Sequence, residues 1–137
     1  MYKKILVPMA LNHGIGDASL KIARKLVTDD GHIFAVHVFE MPSGSALAFP
    51  DDEALKTAST TTGEHLKERV VGQSDVTPVL LHGHTARSII EYATDHEIDC
   101  IVIGSHEPGL IDYMLGSTAA RVVRHAPCAV HVLRSAV

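Results

Sequence analysis

The chain has 137 residues, 46% of them hydrophobic, and a net charge of −4. That length suits one soluble domain over residues 1–137, with enough apolar material to bury a sheet on both faces. The acidic balance and the scattered Lys and Arg exclude a broad nucleic-acid surface, and no apolar run approaches the about 20 residues that membrane insertion by a helix needs.

The first apolar run, Lys4–Pro8, reads as a strand. No long apolar segment or small-residue cleavage site marks it as a secretion signal. Ile15, Ala18, Ile22 and Leu26 then recur at helical spacing, and Gly31 is the expected stop. A second strand spans Ile33–Phe39. The segment Glu40–Asp52 holds Pro42, Gly44 and Pro50 and has no periodicity, so a mobile surface loop is expected there. Leu55, Ala58, Thr62, Leu66 and Val70 form a second helical stripe, weakened by the β-branched run Thr60–Thr62. Val76–Leu81 is the third strand. Ala86, Ile89, Ile90 and Ala93 mark the third helix, and Cys100–Gly104 the fourth strand. Ala119, Val122, Val123 and Ala126 mark the last helix, which Pro127 closes before a final strand over Cys128–Arg134.

Strict alternation of strand and helix predicts an α/β fold with a parallel sheet, helices on both faces and right-handed crossovers. Several strand runs are almost continuously apolar, as strands covered on both sides require. Cys100 and Cys128 sit in such runs and read as packed thiols rather than a disulfide, which by default places the chain in the cytoplasm.

In an open sheet of this kind the ligand crevice lies beyond the carboxyl ends of the strands. Two stretches have suitable composition: Val7–Ala10, and Gly104–Gly109 followed by Leu115–Thr118. Glycines let the backbone approach a phosphate. The Ser117 and Thr118 hydroxyls and the N–H groups of the first helical turn can donate to its oxygens, and the helix dipole adds attraction. The same residues also suit ordinary turns, with Ser117 as a helix N-cap.

The run Ile101–His106 and the run Leu115–Val130 resemble the carboxyl half of the universal stress protein family, closest to its F- and G-type ATP-binding bacterial branch. Tyr2–Pro8 and Ala35–Val38 are similar to that family's first two strands, and Gly83 matches a further landmark. The resemblance implies a five-stranded parallel sheet in the order 3-2-1-4-5. It also implies ATP, or AMP or ADP, as ligand, with magnesium as a companion ion. The nucleotide-binding residues it points to are Pro8, Ala10, Val38, Ile103, Gly104, His106, Pro108, Gly109, Gly116, Ser117 and Thr118. The backbone near Val38 would meet the adenine edge and Ile103 its face. Two positions depart from the family's ATP-binding pattern. Glu107 stands where an inner glycine is usual, with the gap to Gly116 one residue short, and Ala10 stands where an Asp usually contacts the adenosine portion. Pro108 and Gly109 are expected to supply the bend that the missing glycine would make.

His106 fits either a solvent-exposed loop histidine or a phosphate ligand, Arg121 is better placed than Arg124 to reach a phosphate, and Glu107 is expected to face outward. His82 and His84 flank Gly83, but no matching Cys or carboxylate cluster completes a metal site. No Ser-His-Asp or paired-carboxylate set is evident, so a dedicated enzyme is not indicated and slow ATP hydrolysis is the most that is expected. A phospho-receiver domain and a flavodoxin both fail on their site residues after the first strand. Two classes remain: a nucleotide-binding stress regulator acting through ligand-linked conformation and a regulatory protein partner, and a nucleotide-independent dimeric interaction module. The resemblance implies a homodimer through the last strand, with a tetramer as a further assembly.

Overall fold

The computed structural model describes residues 1–11, 15–40, 52–105 and 115–134. Along them run β1 (Tyr2–Pro8), α1 (Ile15–Leu26), β2 (Val27–Phe39), α2 (Asp52–Arg69) and β3 (Val76–His82), followed by α3 (Thr85–Asp95), β4 (Cys100–Gly104), α4 (Ser117–His125) and β5 (Ala129–Leu133). All five strands form one sheet in the order β3-β2-β1-β4-β5, and every pairing is parallel. The predicted alternation and strand order are both observed.

The central strands divide two cores by the two-residue period of their side chains. Ile5 and Val7 of β1 pack with Leu20, Ala23, Leu66 and Val70, so α1 and α2 cover that face. Leu6, between them, packs with Ile89, Ala93, Ala119 and Val122, so α3 and α4 cover the other. Ile5, Leu6 and Val7 are each fully buried. Burying side chains of that size contributes roughly 1.5–3 kcal/mol apiece. Cys100 lies in the first core and Cys128 borders the second. Register pairs Cys100 with Ala129, so Cys128 projects to the opposite face and the two thiols are free. Burial pushes the Cys100 thiol up to about 11, which keeps it neutral and makes it a small core hydrophobe.

Four local expectations are corrected. Gly31 does not stop the first helix: α1 ends at Leu26 and Gly31 lies inside β2. Pairing of β1 with β2 jumps from Tyr2–Val27 to Lys4–His32, so three extra β2 residues are accommodated there. A Cβ on Gly31 would lie 2.6 Å from Val27 Cγ2 and 2.8 Å from the Lys3 carbonyl oxygen. Close packing in a bulge, not a helix stop, is what requires glycine. Second, the face that α1 buries is Gly16, Ser19, Leu20 and Ala23, whereas Ala18 is exposed and Ile22 and Leu26 only half-buried. Third, Val123 is 47% exposed, because α4 lies over the edge of the sheet, where the outer strand β5 leaves part of its surface uncovered. Fourth, Asp52 belongs to α2 rather than to the preceding loop. Glu40 directly follows β2, and residues 41–51 lie outside the described residues.

Candidate functional site

Parallel strands all end at the same edge of the sheet, and the order reverses between β1 and β4, so a crevice opens there. A cavity of about 860 Å³ occupies it. Its walls come from the ends of β1, β2 and β4, from α2 and α3, and from the start of α4. Pro8, Ala10, Val38, Ile103, Gly104, Gly116, Ser117 and Thr118 all line this one cavity. His106, Pro108 and Gly109 lie outside the described residues, as does Glu107.

The α4 side is built from backbone. Gly104 is the last residue of β4, paired with Leu133, and the Ser105 N–H donates to the Leu133 carbonyl at 2.9 Å. The Gly116 N–H donates to the Ser105 carbonyl at 2.7 Å, which pins the start of α4 against the end of β4. Gly116 is the N-cap and provides no side-chain cap, so among the described residues the N–H groups of Ser117, Thr118 and Ala119 are the unpaired donors of the first turn. They carry the positive end of the helix dipole. The Gly116 N–H is committed to Ser105 and is not one of them.

The β1–β2 side is built from side chains. The Met9 N–H donates to the Val36 carbonyl at 2.7 Å, and His37 Nδ1 lies 2.6 Å from the Met9 carbonyl oxygen. From the end of α2, Arg69 donates to the Leu11 carbonyl at 3.2 Å and pairs with Asp17 at 3.2 Å. The first contact holds Leu11, which lines the cavity just past β1, and the second ties α2 to α1. Glu40, just past β2, accepts from the Thr85 N–H at 3.3 Å and from the Thr85 hydroxyl, and so caps α3 from a distance. The Thr85 hydroxyl bond holds the Glu40 carboxyl below its ordinary range, against the opposing effect of partial burial.

Ser105, within the expected Gly104–Gly109 stretch, lines the cavity too, and sequence reasoning missed His37, Glu40, Thr62, His65 and Thr85, which also line it. Only the position of His37 and Glu40 at the end of a predicted strand could have flagged them. Arg121 does not point to a phosphate position: its Nη1 lies 3.3 Å from His84 Nε2. His82 Nε2 meets Ser59 Oγ at 2.6 Å, so the two histidines beside Gly83 have separate partners. Gly83 itself has φ +132°, a conformation that glycine permits. Among the described residues no group of three or more His, Cys, Asp or Glu could hold a metal ion. Among them too, no helix is long and apolar enough to cross a membrane.

Fold and crevice together define an open α/β domain with a ligand-sized cavity at the topological switch point. Residues 1–134 match the family model described as the universal stress protein family, and the chain belongs to that family. It is 28% identical over 144 residues to universal stress protein G of Salmonella typhimurium, covering 98% of this chain and all of that protein. Among solved structures, universal stress protein UspA from Lactobacillus plantarum superposes with a TM-score of 0.77 at 28% identity, covering 97% of this chain and 98% of that one. A universal stress protein family structure from Arabidopsis thaliana with AMP bound gives a TM-score of 0.67 at 20% identity, covering 98% and 93% of the two chains.

Proposed function

We propose that this chain binds an adenine nucleotide (ATP, with AMP or ADP as alternatives) in the 860 Å³ cavity. It would act in stress response through ligand-linked conformation and a regulatory protein partner, in the cytoplasm and without rapid turnover. One observation carries the reading. Eight residues singled out from the sequence converge on a single cavity that also holds the unpaired N–H groups opening α4. Such groups suit an anion. The AMP found in the Arabidopsis relative supports the same class of ligand. In the described lining Glu40 is the one carboxylate, and Thr85 already engages it, so magnesium would be held chiefly by phosphate oxygens. Calorimetric titration of purified protein with ATP and AMP tests the reading. Saturable binding of one nucleotide per chain is expected, and no heat at millimolar ligand would refute it.

The second reading, a nucleotide-independent interaction module, draws on Ala10 and on the lack of Lys or Arg among the described lining residues. The same titration separates the two. In either case the molecule is proposed to be a homodimer through β5. That strand is an outer strand, and Val130 and Val132 on it are only partly buried. An unpaired edge invites pairing with a second chain. Light scattering at micromolar concentration should give twice the chain mass, and a monomer would count against it.

A further inference from the structure

We infer that His37 reads the nucleoside end of the bound nucleotide, with Nε2 accepting a hydrogen bond from a donor on the base or the sugar. The inference deepens the nucleotide-binding reading and rests on it. A carbonyl oxygen can only accept, so Nδ1, 2.6 Å from the Met9 carbonyl, must carry the proton. In the neutral ring this leaves Nε2 as an unprotonated acceptor. His37 is half-buried and lines the cavity, and no described residue engages Nε2. Next to it Ala10 offers only a methyl group, which can neither donate nor accept.

The electrostatics of the cavity say which end of the ligand comes here. Glu40, held ionised by Thr85, lies on the same side at the end of β2 and repels phosphate. The unpaired N–H groups at the start of α4 attract it. The phosphates therefore lie toward α4 and the neutral, donor-bearing nucleoside toward β1 and β2. Two donors there suit an imidazole acceptor: the exocyclic amino group of adenine and the ribose hydroxyls.

The test compares AMP with inosine monophosphate, which replaces the amino group by an oxygen, and with 2′-deoxy-AMP and 3′-deoxy-AMP, which each lack a hydroxyl. The parent should bind AMP about tenfold more tightly than one of these three, the cost of one hydrogen bond. That analogue names the donor. His37→Asn retains an amide donor in the place of Nδ1 for Met9 but reaches no further, so it should bind AMP and that analogue alike. His37→Gln places an amide oxygen where Nε2 stands and should recover the preference at least in part. Equal binding of all four ligands by the parent overturns the inference while leaving nucleotide binding intact. So does an undiminished preference in His37→Asn, which would make the ring a prop for Met9 alone, or a loss that His37→Gln does not restore. Failure of the parent to bind AMP or ATP at all would refute the underlying reading instead. Should the variants not fold, nitrogen-15 spectra of histidine-labelled parent decide the matter. The His37 Nε2 resonance should move on adding AMP in the direction of an accepted hydrogen bond, and an unmoved resonance overturns the assignment.

Discussion

The two ends of the cavity are built in different ways. At the α4 end, Gly104, Ser105 and Gly116 bring a strand end and a helix start together through main-chain hydrogen bonds, and main-chain N–H groups face the cavity. At the β1–β2 end, His37, Glu40 and Thr85 present side chains from separate elements. A backbone site needs small residues and a helix start in a short stretch of chain. A side-chain site needs only that the fold bring distant residues to one edge.

That contrast can be broken most sharply at Gly116. Its φ of −60° and ψ of 155° are open to any residue, so Gly116→Val should leave the fold intact. The added isopropyl group would stand at the helix start and bar phosphate approach. Binding of ATP should weaken by at least about 100-fold, or ~2.7 kcal/mol, by calorimetry, with an unchanged circular dichroism spectrum. Full affinity in a folded variant would move the anion site elsewhere.

A smaller effect is expected at the other end. Ala10→Asp puts a carboxylate acceptor where the lining has a methyl group, and should tighten AMP binding by roughly tenfold, or about 1.4 kcal/mol. A weaker complex would mean that this wall meets something other than a donor. Ser117→Ala should cost about 1 kcal/mol, since one hydroxyl donor disappears while the main-chain donors stay. A loss as large as that of Gly116→Val would assign the anion to side chains rather than backbone.

The least effect concerns Glu40, and it sharpens the β1–β2 side through stability. Its carboxyl is held below the ordinary 4.5 mainly by the Thr85 hydroxyl. A depressed carboxyl contributes stability that is present above its unfolded value and is lost as pH falls through its folded value. Glu40→Gln should therefore show a slightly shallower fall in melting temperature between pH 6 and pH 3 than the parent. Glu40 is exposed, so solvent screening keeps the difference small. Parallel curves would remove Glu40 as an ionised cap of α3.

The difference between the ends also explains what the sequence made legible. Strand order followed from the family resemblance, and alternation of apolar runs placed four strands to within two residues, while β2, expected from Ile33, begins at Val27 because its first half carries the polar run Thr28–His32. Gly116, Ser117 and Thr118 were readable because glycine and hydroxyl residues before a helical stripe have a local meaning. His37 and Glu40 were not, because a histidine or a glutamate at a strand end has no meaning until Met9 and Thr85 are seen beside it. Gly31 was misread for a related reason: the atoms that forbid a side chain there include the Lys3 carbonyl, 28 residues earlier in the chain. For α1, the apolar spacing of Ile15, Ala18 and Ile22 competed with a tighter face of small residues, Gly16, Ser19 and Ala23, which packs closer to the sheet. Ala18 and Ile22 instead line a separate groove with Leu133, rimmed by Lys21, Arg24 and Lys25.

That second groove makes the most direct test possible. Amide spectra of nitrogen-15-labelled protein, recorded while AMP is added, report the main-chain N–H groups of all non-proline residues at once. The account predicts saturable shifts at Met9–Leu11, His37–Glu40, Gly104–Ser105 and Gly116–Ala119, with Ala18–Lys25 and Leu133 unmoved. Shifts confined to Ala18–Lys25 and Leu133, or none anywhere at saturating AMP and ATP, would contradict it.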